Sequence, residues 1–270
     1  QLTFPEVRRG DRESSESHLE RLEKLKTKGA EEGLTYNVVF RCLNAADYGV
    51  PQTRHRVFIV GFRQDLRTEW AFPRPSHSHD ALLWSQWVSG DYWDEHRIPS
   101  SLVPVPTDRV RRRVDRLRSE FALTGIPVRR WRTVRDALTG LPDPRDISSA
   151  ARVPNHELRL GARAYPGHTG SGMDEASKTL KAGDHGVPGG ENMVCLDDGT
   201  LRYFTVRESA RIQTFPDDYV FAGSWTEAMR QIGNAVPVAL ARCVGESVTA
   251  QIKESCGSAQ PELFQSVRTV

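Results

Sequence analysis

The sequence predicts an α/β fold carrying a loop-rich insertion, and three observations lead there. Two apolar runs of strand length, residues 36–43 and 56–62, stand on either side of a loop at 44–51. Segments with helical periodicity and capping residues lie near both ends of the chain. Between residues 145 and 199 no long period survives and glycines crowd in at 161, 167, 170, 172, 183, 186, 189 and 190, which marks loops and short strands.

Taken in order, residues 16–28 read as a helix. Leu19, Leu22 and Leu25 form its stripe, Ser17-x-x-Glu20 its capping box and Glu20/Lys24 an i,i+4 pair, with Gly29 as the stop. The runs 36–43 and 56–62 read as strands that pair antiparallel at the edge of a larger sheet. Pro73, Pro75, Ser76, His77, Ser78 and His79 mark a break in composition, so a domain boundary is expected near residue 75. Trp84, Trp87 and Trp93 follow at near-helical spacing, which favours core packing over base stacking. Asp108 can cap a helix whose Val110, Val114, Leu117 and Phe121 share a face, leaving its arginines outward; Gly125 and Pro127 end it. Thr205-x-x-Glu208 opens a short helix that stops by Pro216, and Ser224-x-x-Glu227 opens one that Gly233 interrupts. Pro237 starts a last helix whose Val238, Leu240, Ala241, Val244 and Val248 should pack back on the first domain, and the tail after Cys256 frays.

An apolar content of 38% over 270 residues suffices for buried cores. No apolar run approaches the roughly 20 residues that span a bilayer, and the first residues are too charged for a secretory signal, so the expectation is a cytoplasmic protein with no membrane partner. The four cysteines, Cys42, Cys195, Cys243 and Cys256, share no close pair spacing, which argues against a zinc knuckle or a disulfide framework. Cys42, within an apolar strand, is expected to be a buried, inert thiol. His77-x-His79-Asp80 has no further ligand cluster nearby and reads as a polar linker, with no metal site expected. The formal charge of +2 hides ten arginines between Arg109 and Arg135 against Asp115 and Glu120, an excess that suits phosphate contacts or a solvated helix face.

Three segments carry the chemistry. Gln52-Thr53-Arg54-His55-Arg56 follows Leu43-Asn44-Ala45-Ala46-Asp47-Tyr48-Gly49-Val50-Pro51; on a strand, Gln52, Arg54 and Arg56 would share one face, so that two guanidiniums could address a single pocket. Thr205-Val206-Arg207-Glu208-Ser209-Ala210-Arg211-Ile212-Gln213-Thr214-Phe215-Pro216 comes second, and Arg230-Gln231-Ile232-Gly233-Asn234-Ala235-Val236-Pro237 third. In this order they resemble the closing motifs of DNA cytosine-5 methyltransferases, over most of the chain. A Gly-rich cofactor loop, a Pro-Cys nucleophile and a Glu-Asn-Val acid segment are not found in the sequence. The resemblance is therefore to the C-terminal portion of such an enzyme.

The resemblance implies the end of a Rossmann-like, S-adenosylmethionine-dependent methyltransferase fold with a small, loop-rich target-recognition domain inserted. Residues 1–75 would end the catalytic domain, 76–222 form the recognition domain with its bracing helix, 223–255 return to the catalytic domain, and 256–270 form the tail. It also implies that Arg56 donates to the cytosine ring oxygen, that Arg54 steadies the pocket and the flanking phosphate, and that Gln52 organises the loop. Asn234, Ala235 and Val236 would complete the S-adenosylmethionine pocket, whose main part lies on the missing half. Arg207 and Glu208 would be scaffold. The DNA reader would lie at 163–202, with Arg163, Lys178, Thr179, Lys181 and His185 reaching double-stranded DNA. Such a chain would be inactive alone. The start at Gln1 favours truncation over a separate chain that supplies the N-terminal half; the alternatives are a non-catalytic DNA-binding module or a subunit of a split methyltransferase.

Overall fold

The computed structural model describes residues 7–28, 36–164, 166, 169–182 and 192–257. In chain order the elements are α1 (Ser15–Lys28), β1 (Tyr36–Asn44), β2 (His55–Arg63), β3 (His77–Ser78), α2 (His79–Trp84), α3 (Asp91–Glu95), α4 (Asp108–Phe121), β4 (Arg129–Arg130), α5 (Val134–Leu138) and α6 (Ile147–Ala150). There follow β5 (Ser171–Gly172), β6 (Met193–Cys195), β7 (Leu201–Tyr203), α7 (Val206–Ile212), α8 (Trp225–Asn234) and α9 (Val238–Gly257). The fold is mixed α/β, and no helix among the described residues is long and apolar enough to cross a membrane.

The chain divides into two compact units. One comprises Gln1–Cys42, Val57–Pro73 and Val244–Val270; the other comprises Leu43–Arg56 and Arg74–Cys243. A division falls at Pro73, near the composition break, but Leu43–Arg56 and all of α8 belong with the second unit. The reason is local: Thr53 N donates to Ser177 O at 2.8 Å, and Arg54 reaches residues 180, 233 and 235.

In the first unit, α1 is capped by Ser14, whose Oγ accepts from Ser17 N at 3.1 Å, so Ser17 lies inside the helix and is not its cap. The Glu20–Lys24 pair forms at 2.5 Å. Strands β1 and β2 pair with each other alone among the described residues. Ala45 N donates to Arg54 O at 2.8 Å, while Gly61 stands against Val38, so the two strands run antiparallel. That register sets Phe40 beside Ile59 and Cys42 beside Val57, on one face. Phe40 is 76% exposed and Val57 and Ile59 are 63% exposed. The expected larger sheet is not formed among the described residues, and Cys42 is accordingly exposed and not buried. Phe62, Trp70 and Phe72 pack in succession, tilted and then edge to face, with centroids 5.8 and 4.7 Å apart, and Arg41 lies 5.4 Å over Phe72. Along α9, Val244 is buried and Trp70 Nε1 donates to Ser247 Oγ at 2.9 Å.

The second unit packs around Leu180, Val194, Phe204, Val206, Ala210, Ile212, Met229 and Ile232. Its small sheet has the order β5-β6-β7, with β5 parallel and β7 antiparallel to β6. Two further clusters are built on the tryptophans: Trp93 joins Leu82 and Tyr92, while Trp84 and Trp87 cover Leu83, Val114 and Leu117. Helix α4 is capped by Thr107, not Asp108, because the Thr107 hydroxyl accepts from Val110 N and Asp108 occupies the first turn. Nor does Gly233 interrupt α8; the helix runs through it to Asn234. Ala241 of α9 is exposed, against its expected burial, whereas Leu240 is fully buried. His77 and His79 belong to β3 and α2 and not to a linker; His79 packs at a tilt against Trp131 with centroids 5.1 Å apart.

Candidate functional site

Asn44, at the end of β1, organises the loop that follows. Its Oδ1 accepts from Ala46 N, capping the turn Ala45–Tyr48, and from Arg54 N at 3.1 Å, closing the loop on itself. Gly49 ends the turn at φ +82°, a left-handed conformation that side chains rarely adopt. Beyond it Gln52 bridges to Ser177, Ser177 N donates to Pro51 O at 3.0 Å, and the Thr179 hydroxyl donates to Thr53 O at 2.7 Å.

The three motif residues do not share a strand face. Strand β2 begins only at His55, and the residues before it are drawn into the second unit. Gln52 and Arg54 are fully buried. The Arg54 guanidinium donates to Leu180 O at 2.9 Å, Gly233 O at 2.5 Å and Ala235 O at 3.1 Å, with Gln52 Oε1 at 3.5 Å. It is thus occupied by backbone carbonyls, so the expected contact of Arg54 with a flanking phosphate is corrected. Burial, with Arg56 nearby, brings its pKa down to about 10, which still leaves a cation at neutral pH. Arg56 is half-buried and donates through Nη1 to its neighbour's carbonyl, His55 O, at 2.7 Å.

The third segment meets the same knot. A Cβ on Gly233 would lie 2.3 Å from Ala182 N and 2.6 Å from Lys181 C, so only glycine permits the approach of these two backbones. The Asn192 carboxamide brackets Lys181, accepting from its N and donating to its O, both at 3.0 Å. Gln213, also fully buried, donates to Ile232 O at 2.9 Å, and Val238 N donates to Gln213 O at 3.0 Å. The turn 234–236 is therefore held on its inner side. On its outer side Asn234 is exposed and Val236 is 41% exposed. An outward carboxamide beside an apolar side chain fits one wall of a site for a ligand with polar and apolar parts, such as S-adenosylmethionine.

Arg207 is a second fully buried arginine on carbonyls: Nε donates to Pro154 O, Nη1 to Pro216 O and Nη2 to Tyr219 O, at 3.1, 3.2 and 2.8 Å. Burial lowers its pKa. Glu208 closes the capping box with Thr205 and accepts from Arg202 Nη1 and Nη2, at 2.6 and 2.7 Å. Charge-assisted bonds of this kind hold loops that no regular ladder holds.

The reader residues are scattered by comparison. Arg163 and Lys181 are exposed, and Lys178 Nζ donates to Thr169 Oγ1 at 3.1 Å. The Thr179 hydroxyl donates to Thr53 O, and His185 lies outside the described residues. Sequence reasoning missed Asn44, Asn192 and Gln213. Asn44, ahead of a turn that ends in glycine, carried a capping signal; the other two carried none, because their partners are distant in sequence.

Residues 14–250 match the family described as C-5 cytosine-specific DNA methylase. The chain is 29% identical over 242 residues to the type II methyltransferase M.MthTI of Methanothermobacter thermautotrophicus, covering 81% of this chain and 58% of the relative. It is 31% identical over 244 residues to M.SacI of Streptomyces achromogenes, covering 80% and 53%, and 32% identical over 209 residues to M.Eco47II of Escherichia coli, covering 77% and 44%. The chain thus matches about half the length of these relatives.

Proposed function

Because this chain belongs to the C-5 cytosine-specific DNA methylase family, we propose that it is the target-recognition and base-pocket portion of a type II restriction-modification methyltransferase. One observation carries the reading. Arg54 ties the loop at 52–54 to the backbone at Leu180 and to the turn at 233–235 in a single knot, while Arg56, two residues on, keeps its guanidinium at a half-exposed position.

Methylation at cytosine C5 requires the base to leave the duplex, because its reacting edge is stacked there. S-Adenosylmethionine, when bound, supplies the methyl group. On this chain Arg56 donates to the C2 carbonyl oxygen of the extruded cytosine and offsets the negative charge that develops as C6 is attacked. Arg54 is a positioning residue. Its carbonyl partners fix the start of β2, the strand that carries Arg56, against the turn 233–235. Asn234 and Val236 form one wall for the methyl donor. None of the four cysteines follows a proline, so the thiolate and the rest of the cofactor site come from sequence beyond these 270 residues, in the same polypeptide or in another.

The test is transfer of labelled methyl from S-adenosylmethionine to duplex DNA by this chain, alone and mixed with the purified N-terminal half of a close relative. Transfer in the mixture alone supports the reading. Association and duplex binding without transfer would favour a non-catalytic DNA-binding module. In the active mixture Arg56→Ala should reduce transfer on the order of 100-fold or more, the scale of losing one charge-stabilising donor, and leave duplex affinity nearly unchanged. Equal losses in both would remove Arg56 from the base pocket.

A further inference from the structure

The arginine-rich stretch is resolved by the tertiary structure into two sets. Arg111, Arg113, Arg118, Arg130 and Arg135 pair with Asp108, Asp80, Asp115, Asp136 and Asp174. Arg109, Arg112, Arg116, Arg129 and Arg132 have no acidic partner among the described residues. Of these, the first three are exposed on α4. Arg129 and Arg132 instead line a concave pocket of about 590 Å³, together with His77, Arg130 and Thr139.

The acids of that pocket do not cancel its charge. Glu95 and Asp136 both turn onto Arg130, at 2.7 and 2.6 Å. Asp136 also serves the capping box of α5, accepting from Thr133 N at 2.7 Å, and lies 3.0 Å from His96 Nε2. Three guanidiniums against two carboxylates leave a positive balance, and it resides on Arg129 and Arg132. His77 registers the excess: burial first, then Arg129, Arg132 and Arg130, hold its pKa below the ordinary value.

The pocket is also fixed to the loop that precedes the motif arginines. Arg129 N donates to Ser76 O and Ser76 N to Asp47 O, both at 3.0 Å, and Trp131 Nε1 donates to Asp47 Oδ1 at 2.9 Å. The His77 ring lies so close to Gly49 that a Cβ there would stand 2.8 Å from its Cε1. Two unpaired, exposed cations in a concave wall, held in register with the base-pocket loop, have the chemistry of an anchor for a polyanion beside the target base.

We propose that the pocket formed by Arg129, Arg132 and His77 binds neighbouring backbone phosphates of the DNA duplex, one on each free guanidinium, and sets the register of the base-pocket loop on them. The assignment rests on the DNA reading above. It predicts a sequence-independent contact, distinct from the reader residues at 163–185.

The experiment titrates the full chain into a fluorescein-labelled duplex by anisotropy over a series of salt concentrations. Arg129→Gln/Arg132→Gln should lower the slope of log affinity against log salt by about 2, near 0.9 for each phosphate charge no longer neutralised, and weaken binding to unrelated duplexes alike. Arg109→Gln/Arg112→Gln, which removes the same charge from α4, is the control and should move the slope by less than half as much. Circular dichroism and melting confirm that each variant is folded, and Arg132→Gln alone, with a slope change of about 1, serves if the double variant is not. Equal slopes for the pocket and α4 variants, or a pocket variant that matches the unmodified chain, would overturn the proposal and leave the methyltransferase reading in place. Failure of the unmodified chain to bind duplex at low salt would overturn both.

Discussion

The knot around Arg54 and the ribbon of β1 and β2 solve opposite problems with adjacent stretches of chain. At the knot, polar groups are buried and paired: a guanidinium satisfies three carbonyls from segments more than a hundred residues away, and Asn192 and Gln213 bracket the same backbones. On the ribbon, apolar groups are exposed: Phe40, Val57 and Ile59 stand together on one face. Each region therefore draws its stability from a different source. A buried cation on carbonyls holds irregular backbone in one arrangement, because every alternative strands a desolvated charge. A two-stranded ribbon has no such constraint and is marginal in water without a layer against its apolar face.

The greatest loss should come from breaking the knot. Arg54→Ala leaves the carbonyls of Leu180, Gly233 and Ala235 without this donor and should cost about 3–5 kcal/mol, read by urea unfolding. Arg54→Lys should recover only part of it, since one ammonium cannot span the fork. A loss below about 1 kcal/mol for the alanine variant would mean that the knot is not what holds these segments. Next comes Gly233→Ala, which drives a methyl group into the backbone at Lys181–Ala182 and should cost about 1–3 kcal/mol by the same measurement. Unchanged stability there would show that the two backbones separate freely.

On the ribbon the prediction has the other sign. Phe40→Lys and Ile59→Lys should change unfolding free energy by no more than about 0.5 kcal/mol, as exposed substitutions do, while reducing self-association in light scattering. A large destabilisation would place these side chains in a core and erase the contrast. Titration should have the least influence. Burial lowers the pKa of His79 below its ordinary 6.5, so the unfolded chain takes up this proton first. Its contribution is complete above pH 6.5 and is lost as the pH falls through the depressed value; melting temperatures from pH 7 to pH 5 should decline, and His79→Phe should flatten that decline. An unaltered acid limb would remove His79 as a source.

Much of the local structure was legible. The spacing of Val110, Val114 and Leu117, the Thr205-x-x-Glu208 box and the proline before α9 each specify their element through interactions within one or two turns. Differences arose where a neighbour competed. Thr107 took the cap expected of Asp108, Ser14 that of Ser17, and the knot pulled Gln52 and Arg54 off the strand that their alternation suggested.

The order of amino acids is enough to single out the segments that matter: the loop before Gln52, the box at Thr205 and the turn at Gly233 are recognisable one by one because their chemistry is short-range. Which arginine is buried and which is left exposed was settled by tertiary packing. Arg54 and Arg56 are the same residue type two positions apart, and so are Arg130 and Arg132. Only the carbonyls and carboxylates brought from distant positions separate a cation that holds the fold from one whose guanidinium stays at the surface.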